Sequence, residues 1–420
     1  MSMPSSLLQR RAARLGPNVS TFYDTPLHIL RGEGCWLWDA DGRRYLDAYN
    51  NVPHVGHAHP KVVAAMSEQA AQLNTHSRYV HTGILDYLDR LTGLLGHGLD
   101  QAVMTCTGSE AMDVALRMAQ AATGATGLIA TDNTYHGNTS AVTALSTRRP
   151  PIGGRPPHVR LVPAPDALSG LDGDIFAAHV AEAATALQEE GFGVAALIVC
   201  PALANEGLPC PPAGFLQPAA AQVQKVGGLL IADEIQPGFG RLGSHWWGFE
   251  QQGLRPDIVC LGKPMGNGYP VAAAIGTAPV VSAFRTAFGY FNTFAASPVA
   301  AATATAVLDV LEEENLRQNA EATGAALLAR MRSMHHPRIA DTRGHGLFFA
   351  MEFQTQEGAP CPVTAKAVVE GLKARGVLAG AIGRQQHILK LRPPMVFGPA
   401  EADLLSTALQ ETLEALPDVP

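Results

Sequence analysis

Short apolar runs closed by glycine, proline or an acid alternate with longer stretches of helical period through the middle of the chain. The runs predict strands at Ala102–Cys106, Gly127–Thr131, Ala195–Cys200, Gly228–Ala232, Ile258–Leu261 and Val271–Ile275, with Ala-rich helices at Glu110–Ala122 and Ile175–Gln188. Such alternation implies crossover units and a mainly parallel sheet covered on both faces, with ligands at the carboxyl ends of its strands. Upstream, CWLWDADGRRYLDAY reads as a hairpin turning at Asp41 and Gly42. After Ser297 come long helices (Val299–Glu314, Ala320–Met334), then HGLFFAMEF, a further helix and a final strand near Ile388–Leu391. The expected fold is α/β: a large domain over residues 50–298, and a smaller α+β domain from 1–49 and 299–420. Pro150–Pro165, rich in proline and glycine, reads as a surface loop, and no repeat of 20–50 residues stands out.

Composition narrows the class. The 420 residues are 47% hydrophobic and 16% charged, which excludes disorder for most of the chain. Thirty basic residues against 37 acidic ones give a net charge of −7, and no block of basic residues exceeds two, so a nucleic-acid partner is not expected. No apolar run approaches the ~18 residues that span a bilayer. The first residues carry Arg10, Arg11 and Arg14 before any acid; this faintly resembles a transit peptide but reads better as an ordinary N-terminal helix. Six dispersed cysteines (35, 106, 200, 210, 260, 361) without a C-x-x-C pair fit reduced thiols and a cytoplasmic protein.

Several segments carry chemistry. Leu229–Ala232 leads an apolar strand into Asp233 and Glu234, where an acid is costly without a partner. Asp233 is then an anion opposite a cationic ring nitrogen or a metal, against the blander option of a solvated loop acid. Cys260-Leu-Gly-Lys-Pro-Met-Gly-Asn-Gly ends a strand in one lysine, Lys263, on a backbone that must turn sharply. Desolvation at such a position makes a lysine a nucleophile for carbonyls, although surface lysines beside turns are common. Gly108 and Ser109 open a helix after a strand, which suits a phosphate cup or a plain N-cap by Ser109 equally well. Gly238-Phe-Gly-Arg-Leu-Gly243 matches a dinucleotide fingerprint, but it follows no strand directly and opens no helix, so that reading is rejected. His54, His57 and His59 have no acid or cysteine close in sequence, and the glycine and proline among them suggest a turn; no metal is expected.

Taken together, GEGCWLWDADGRRYLD, VGHAHPKVV, TGSEAMDVALRMA, TYHGN, ADEIQPGFGRLG, LGKPMGNGYP, FNTFAASPVA and LRPPMV resemble the class III aminotransferases, pyridoxal-phosphate enzymes of fold type I. The resemblance runs from Gly32 to about Phe397. It implies that Lys263 forms the Schiff base with pyridoxal 5'-phosphate and shuttles the proton, and that Asp233 pairs with the pyridine nitrogen. It further implies that Gln236 meets the ring's phenolic oxygen, that Tyr135 stacks on the ring with His136 beside it, and that Gly108 and Ser109 hold the phosphate. Thr293 would reach that phosphate from a partner subunit, implying a homodimer, or a tetramer built from it, with sites at the interface.

The departures bear on the reaction. Many members carry a carboxylate-binding arginine three residues before the paired prolines, where this chain has Lys390, with Arg392 beside Pro393. Their gating glutamate aligns with Asn205, beside Glu206, and an earlier glutamate with Cys200; Ala295 and Ala296 replace two glycines. NNVPHVGHAHP, LNTHSRYVH, PAPD, EIQPGFGR and ILKLRPPM are similar to the phospholyase branch, which eliminates phosphate from O-phosphoethanolamine or phospho-hydroxylysine. A small primary amine is the expected substrate. The two leading reactions are elimination of phosphate with release of ammonia, and transfer of the amine to a 2-oxo acid. A dianionic leaving group needs cations, for which His54, Arg78, Tyr79, Lys390 and Arg392 are the candidates. A third option, a cofactor-binding relative without chemistry, is at odds with intact Lys263 and Asp233.

Overall fold

The computed structural model describes residues 5–416 apart from Asn18 and Arg149. Three sheets organise the chain. The first is four-stranded: β1 (Ile29–Glu33), β2 (Trp36–Asp39) and β3 (Arg44–Asp47) run antiparallel, and β13 (Val377–Leu378) joins β3 in parallel. The expected hairpin is β2–β3, with Gly42 at φ +81° in its turn. The central sheet holds β4 (Gln101–Thr105), β5 (Leu128–Thr131), β6 (Val159–Val162), β7 (Ala196–Val199), β8 (Leu229–Asp233), β9 (Ile258–Leu261) and β10 (Ala272–Gly276). Their order is β4-β10-β9-β8-β7-β5-β6. The third sheet, β11 (Ile339–His345), β12 (Phe348–Phe353), β14 (Gly380–Ile382) and β15 (Ile388–Leu391), is antiparallel in the order β11-β12-β15-β14. Residues from both ends of the chain thus form a smaller α+β part beside a mainly parallel central sheet.

The inner strands β5, β7, β8 and β9 are almost wholly apolar because helices cover both faces. Alternate residues divide between two cores: Ile129, Leu197, Val199, Leu230 and Val259 pack on one side, while Leu128, Ala130, Ile198, Ile231 and Cys260 pack on the other against Met112, Ala115 and Ala119 of the helix Gly108–Thr123. Truncating one such residue, for example Leu197→Ala, costs about 2–5 kcal/mol.

Two expected ranges are corrected here, while the sheet is mainly parallel as expected. β10 runs antiparallel to both β9 and β4, one residue later than the expected Val271–Ile275; an apolar run looks the same in either direction, so its sense is invisible in sequence. The stretch Pro150–Pro165 is not wholly loop, because Val159–Val162 forms edge strand β6 along β5. The N-terminal helix spans Ser5–Leu15, and the first four residues of that expectation lie outside the described part. Among the described residues, no helix is long and apolar enough to cross a membrane.

Candidate active site

The carboxyl ends of five strands, β4, β5, β7, β8 and β9, converge on one pocket lined by Gly108, Ser109, Tyr135, His136, Gly137, Cys200, Asp233, Ile235, Gln236 and Lys263. From β8, Asp233 faces inward, while Glu234 turns away and accepts hydrogen bonds from Gly248 N (2.9 Å) and Phe249 N (2.7 Å). Burial, resisted by those two bonds, pushes the Glu234 carboxyl up to about 8. Asp233 is 5% exposed; its Oδ2 lies 2.6 Å from His136 Nδ1 and its Oδ1 accepts from Ile235 N at 3.1 Å. With Nδ1 donating to the carboxylate, the other ring nitrogen meets Thr134 Oγ1 at 3.2 Å, so the histidine's orientation is fixed at both ends.

Beyond β9, Gly262 is extended and Lys263 takes φ +27° at the start of a single 3₁₀ turn. A side chain on Gly262 would stand 3.4 Å from the Cα of Gly108, so the lysine's turn lies directly against the start of the helix Gly108–Thr123. Burial lowers the Lys263 ammonium pKa, with Asp233 opposing and Arg392 reinforcing the shift. Among the described residues Nζ makes no hydrogen bond, which leaves it available to a ligand.

After β4, Thr107 rather than Ser109 is the helix N-cap: its Oγ1 accepts from Glu110 N, and Glu110 accepts from Thr107 N. Capping therefore does not occupy the Ser109 hydroxyl, which accepts from Asn138 N at 3.1 Å. Gly137 has φ +152° and would press a Cβ to 2.9 Å from Ser109 Cα; a Cβ on Gly108 would meet Ile235 Cδ1 at 2.6 Å. Two glycines thus hollow a cup at a helix N-terminus, where amides and dipole favour an anion. Tyr135 is 41% exposed above it. The sequence pattern gives Gly137 and Ile235 no role of their own, although Gly137 lies inside TYHGN and Ile235 directly follows the two acids.

The cationic candidates fare differently. Lys390 is 1% exposed; Nζ donates to Ala204 O (2.6 Å) and Gln236 Oε1 (3.2 Å). Burial, with Arg392 next, lowers its pKa well below that of a free lysine. Arg392 donates to Gln236 Oε1 and to Tyr49 O, 2.9 Å away. Both back the pocket rather than lining it. His54 is corrected outright: it is fully buried, with Nε2 donating to Phe239 O (2.8 Å) and Nδ1 accepting from Arg241 (3.1 Å), so burial beside a guanidinium keeps it neutral and away from substrate. His57 and His59 go elsewhere, to Asp47 and Glu314. Arg78 and Tyr79 are exposed; the Arg78 guanidinium lies 3.9 Å above the Phe291 ring, two residues from exposed Thr293. Neither lines the pocket.

An amine of depressed pKa, a buried carboxylate set by a histidine and an anion cup make a donor set that fits pyridoxal 5'-phosphate: amine to aldehyde, carboxylate to ring nitrogen, cup to phosphate. The fold and this set define a pyridoxal-phosphate enzyme of fold type I. The family model for Aminotransferase class-III matches residues 20–413, and the chain belongs to that family. It is 38% identical to "Alanine--glyoxylate aminotransferase 2-like" of Drosophila melanogaster (97% of this chain, 87% of that protein). It is 33% identical to "Ethanolamine-phosphate phospho-lyase homolog 1" of Caenorhabditis elegans (97% and 93%). A solved structure described as a phospholyase from Arthrobacter in complex with phosphoethanolamine aligns with a TM-score of 0.94 at 38% identity, over 98% of this chain and 100% of that one.

Proposed function

We propose that this chain is an amine phospholyase, removing phosphate and ammonia from a small phosphorylated primary amine such as O-phosphoethanolamine. The observation that carries this is the sealed state of Lys390. The cation at the position where relatives bind a 2-oxo acid is buried on Ala204 O and Gln236, and the neutral Asn205 stands where a gating glutamate would. A carboxylate acceptor therefore finds no free, switchable cation there. The likeness to the Arthrobacter phospholyase supports the same conclusion.

When bound, pyridoxal phosphate supplies an electron sink for a carbanion next to the substrate nitrogen. Gly108, Ser109 and the helix N-terminus would hold its phosphate, Asp233 would keep its ring nitrogen protonated, with His136 orienting that carboxylate, and Tyr135 and Gln236 would bracket the ring. Lys263 Nζ, which lines the pocket, would remove a proton from the substrate carbon bearing nitrogen. Its lowered pKa keeps more of it in the basic form near neutrality. The C–O bond on the next carbon then breaks and phosphate leaves with the electron pair. One water completes the release of ammonia and an aldehyde. Arg78 and Tyr79 remain candidates to steady the leaving phosphate in a homodimer, in which Thr293 would also reach the cofactor phosphate. Exposed Tyr79, Val80, Phe291 and Phe294 around them suit such an interface.

The second reading is an ω-aminotransferase, favoured by the identity to the Drosophila relative. Incubating cofactor-loaded protein with O-phosphoethanolamine and no oxo acid separates the two. Equimolar phosphate and ammonia over many turnovers supports the lyase. Absence of release, with amine-dependent bleaching reversed by pyruvate or 2-oxoglutarate, establishes transamination instead.

A further inference from the structure

A polar chain of fixed sense crosses the back of the pocket. At one end the Arg392 guanidinium, which has only donors, gives a hydrogen bond to Gln236 Oε1, and Lys390 Nζ gives a second at 3.2 Å. Gln236 Nε2 then donates to Asn205 Oδ1 at 3.2 Å. Asn205 Nδ2 donates to the carbonyl of Tyr135 at 3.1 Å, and a carbonyl can only accept. With a pure donor at one end and a pure acceptor at the other, flipping the Asn205 amide sets like against like at two contacts, and flipping that of Gln236 does so at three. All members of the chain but Tyr135 and Arg392 are more than nine-tenths buried, so water does not compensate a wrong orientation. The charged groups acting on Lys390 are Arg392 and Lys263 on one side and Glu206 on the other, and Glu206 is itself held by Thr131 Oγ1 at 2.7 Å and Asn205 N at 3.0 Å.

We infer that Lys390 and Asn205 are positioning residues, which lock the Gln236 amide so that a donor faces the cofactor ring and tie it to Tyr135 on the opposite side. Gln236 Nε2 has a second hydrogen beyond the one given to Asn205, and the residue lines the pocket. Lys390 pulls the oxygen away from that pocket and so leaves nitrogen on the inside. The assignment rests on the cofactor placement proposed above, but it holds whether the enzyme eliminates phosphate or transfers nitrogen. It gives Lys390 a role other than binding substrate.

The test uses holoenzymes of wild type, Lys390→Met, Lys390→Arg, Asn205→Ala and Gln236→Leu, and reads the pH at which the bound cofactor's visible absorbance changes. Losing an aligned donor at the ring oxygen raises that pH, by about one unit for a hydrogen bond to a developing charge. Lys390→Met and Asn205→Ala are expected to move it in the same direction as Gln236→Leu. Their kcat should fall about tenfold while KM for the amine stays within about threefold, and Lys390→Arg, which still donates, should retain the wild-type titration. The inference is overturned if Gln236→Leu moves the titration and neither Lys390→Met nor Asn205→Ala does. It is also overturned if Lys390→Met raises KM with an unmoved titration, which would make Lys390 a substrate contact. An unmoved titration in all variants, Gln236→Leu included, rejects the cofactor placement and the positioning role with it.

Discussion

His136 Nδ1 stands 2.6 Å from Asp233 Oδ2, and the imidazole is completely screened from solvent. The pair joins the loop after β5 to the end of β8. In this arrangement Asp233 keeps one fixed orientation, with Oδ1 held by the Ile235 amide.

If that carboxylate serves a cationic ring nitrogen, its charge matters more than its shape. Asp233→Asn should lower kcat on the order of 10³-fold and His136→Phe roughly 10²-fold, the range for losing preorganised electrostatic contacts. Steady-state kinetics on cofactor-saturated protein checks both. A loss for Asp233→Asn below tenfold would remove Asp233 from the chemistry.

Lys263 carries an ammonium that burial disfavours. A base whose pKa is lower in the folded state than in the unfolded one costs stability as pH falls below its unfolded value. Lys263→Met should therefore abolish turnover and yet raise the melting temperature of the cofactor-free protein by about 2 °C near neutrality. Scanning fluorimetry reads the second effect. Borohydride treatment of loaded wild type should fix the cofactor's mass on the peptide containing Lys263, and on no peptide of the variant.

Glu234 titrates in the opposite sense. Its carboxyl pKa is raised to about 8 by burial, so the stability it contributes is complete below about 4.5 and is lost as pH climbs through 8. Glu234→Gln keeps one acceptor for the Gly248 and Phe249 amides instead of two. It should be less stable than wild type by about 1–3 kcal/mol at pH 5, and the gap should narrow by pH 8.5 in denaturant titrations.

Gly137 tests the cup. An alanine there meets both a backbone conformation that L-residues avoid, φ +152°, and the Cα of Ser109 at 2.9 Å. Gly137→Ala should weaken cofactor affinity at least about tenfold, measured by fluorescence titration of the apoprotein, whereas Gly153→Ala on the open loop should leave it unchanged.

What the sequence made legible follows physical locality. An apolar run ending in an acid, and another ending in a lysine between glycines, announce strand ends with chemistry, and Asp233 and Lys263 do face one pocket. The parallel α/β core was readable because its inner strands are continuous apolar runs, buried on both faces. Contacts made across the chain were not. His54 looks reactive among neighbouring histidines, yet Phe239 and Arg241, far along the sequence, enclose it. Lys390 and Arg392 read as open cations, but their partners come from loops after other strands. For Ser109 a phosphate cup and a helix cap read equally well, because nothing local distinguishes it from Thr107; the capping box of Thr107 with Glu110 leaves the Ser109 hydroxyl free of that duty.

The one antiparallel strand of the central sheet has a consequence of its own. β10 lies between β4, which leads to the cup, and β9, which leads to the lysine, and its neighbouring residues Ala272 and Ala273 stand opposite Thr105 and Leu261. It acts as a gauge block between the bodies of those two strands, which stand two strand widths, about 10 Å, apart, while past its end the turns bearing Gly262 and Gly108 come into contact; the segment that sets this spacing is the chain's own return from Lys263. Removing a single residue between Asn267 and Val271 would slide β10 by about 3.3 Å and turn Ala273 and Ile275 to the wrong face. Length in that short return is thus held more tightly than the identity of any side chain along it.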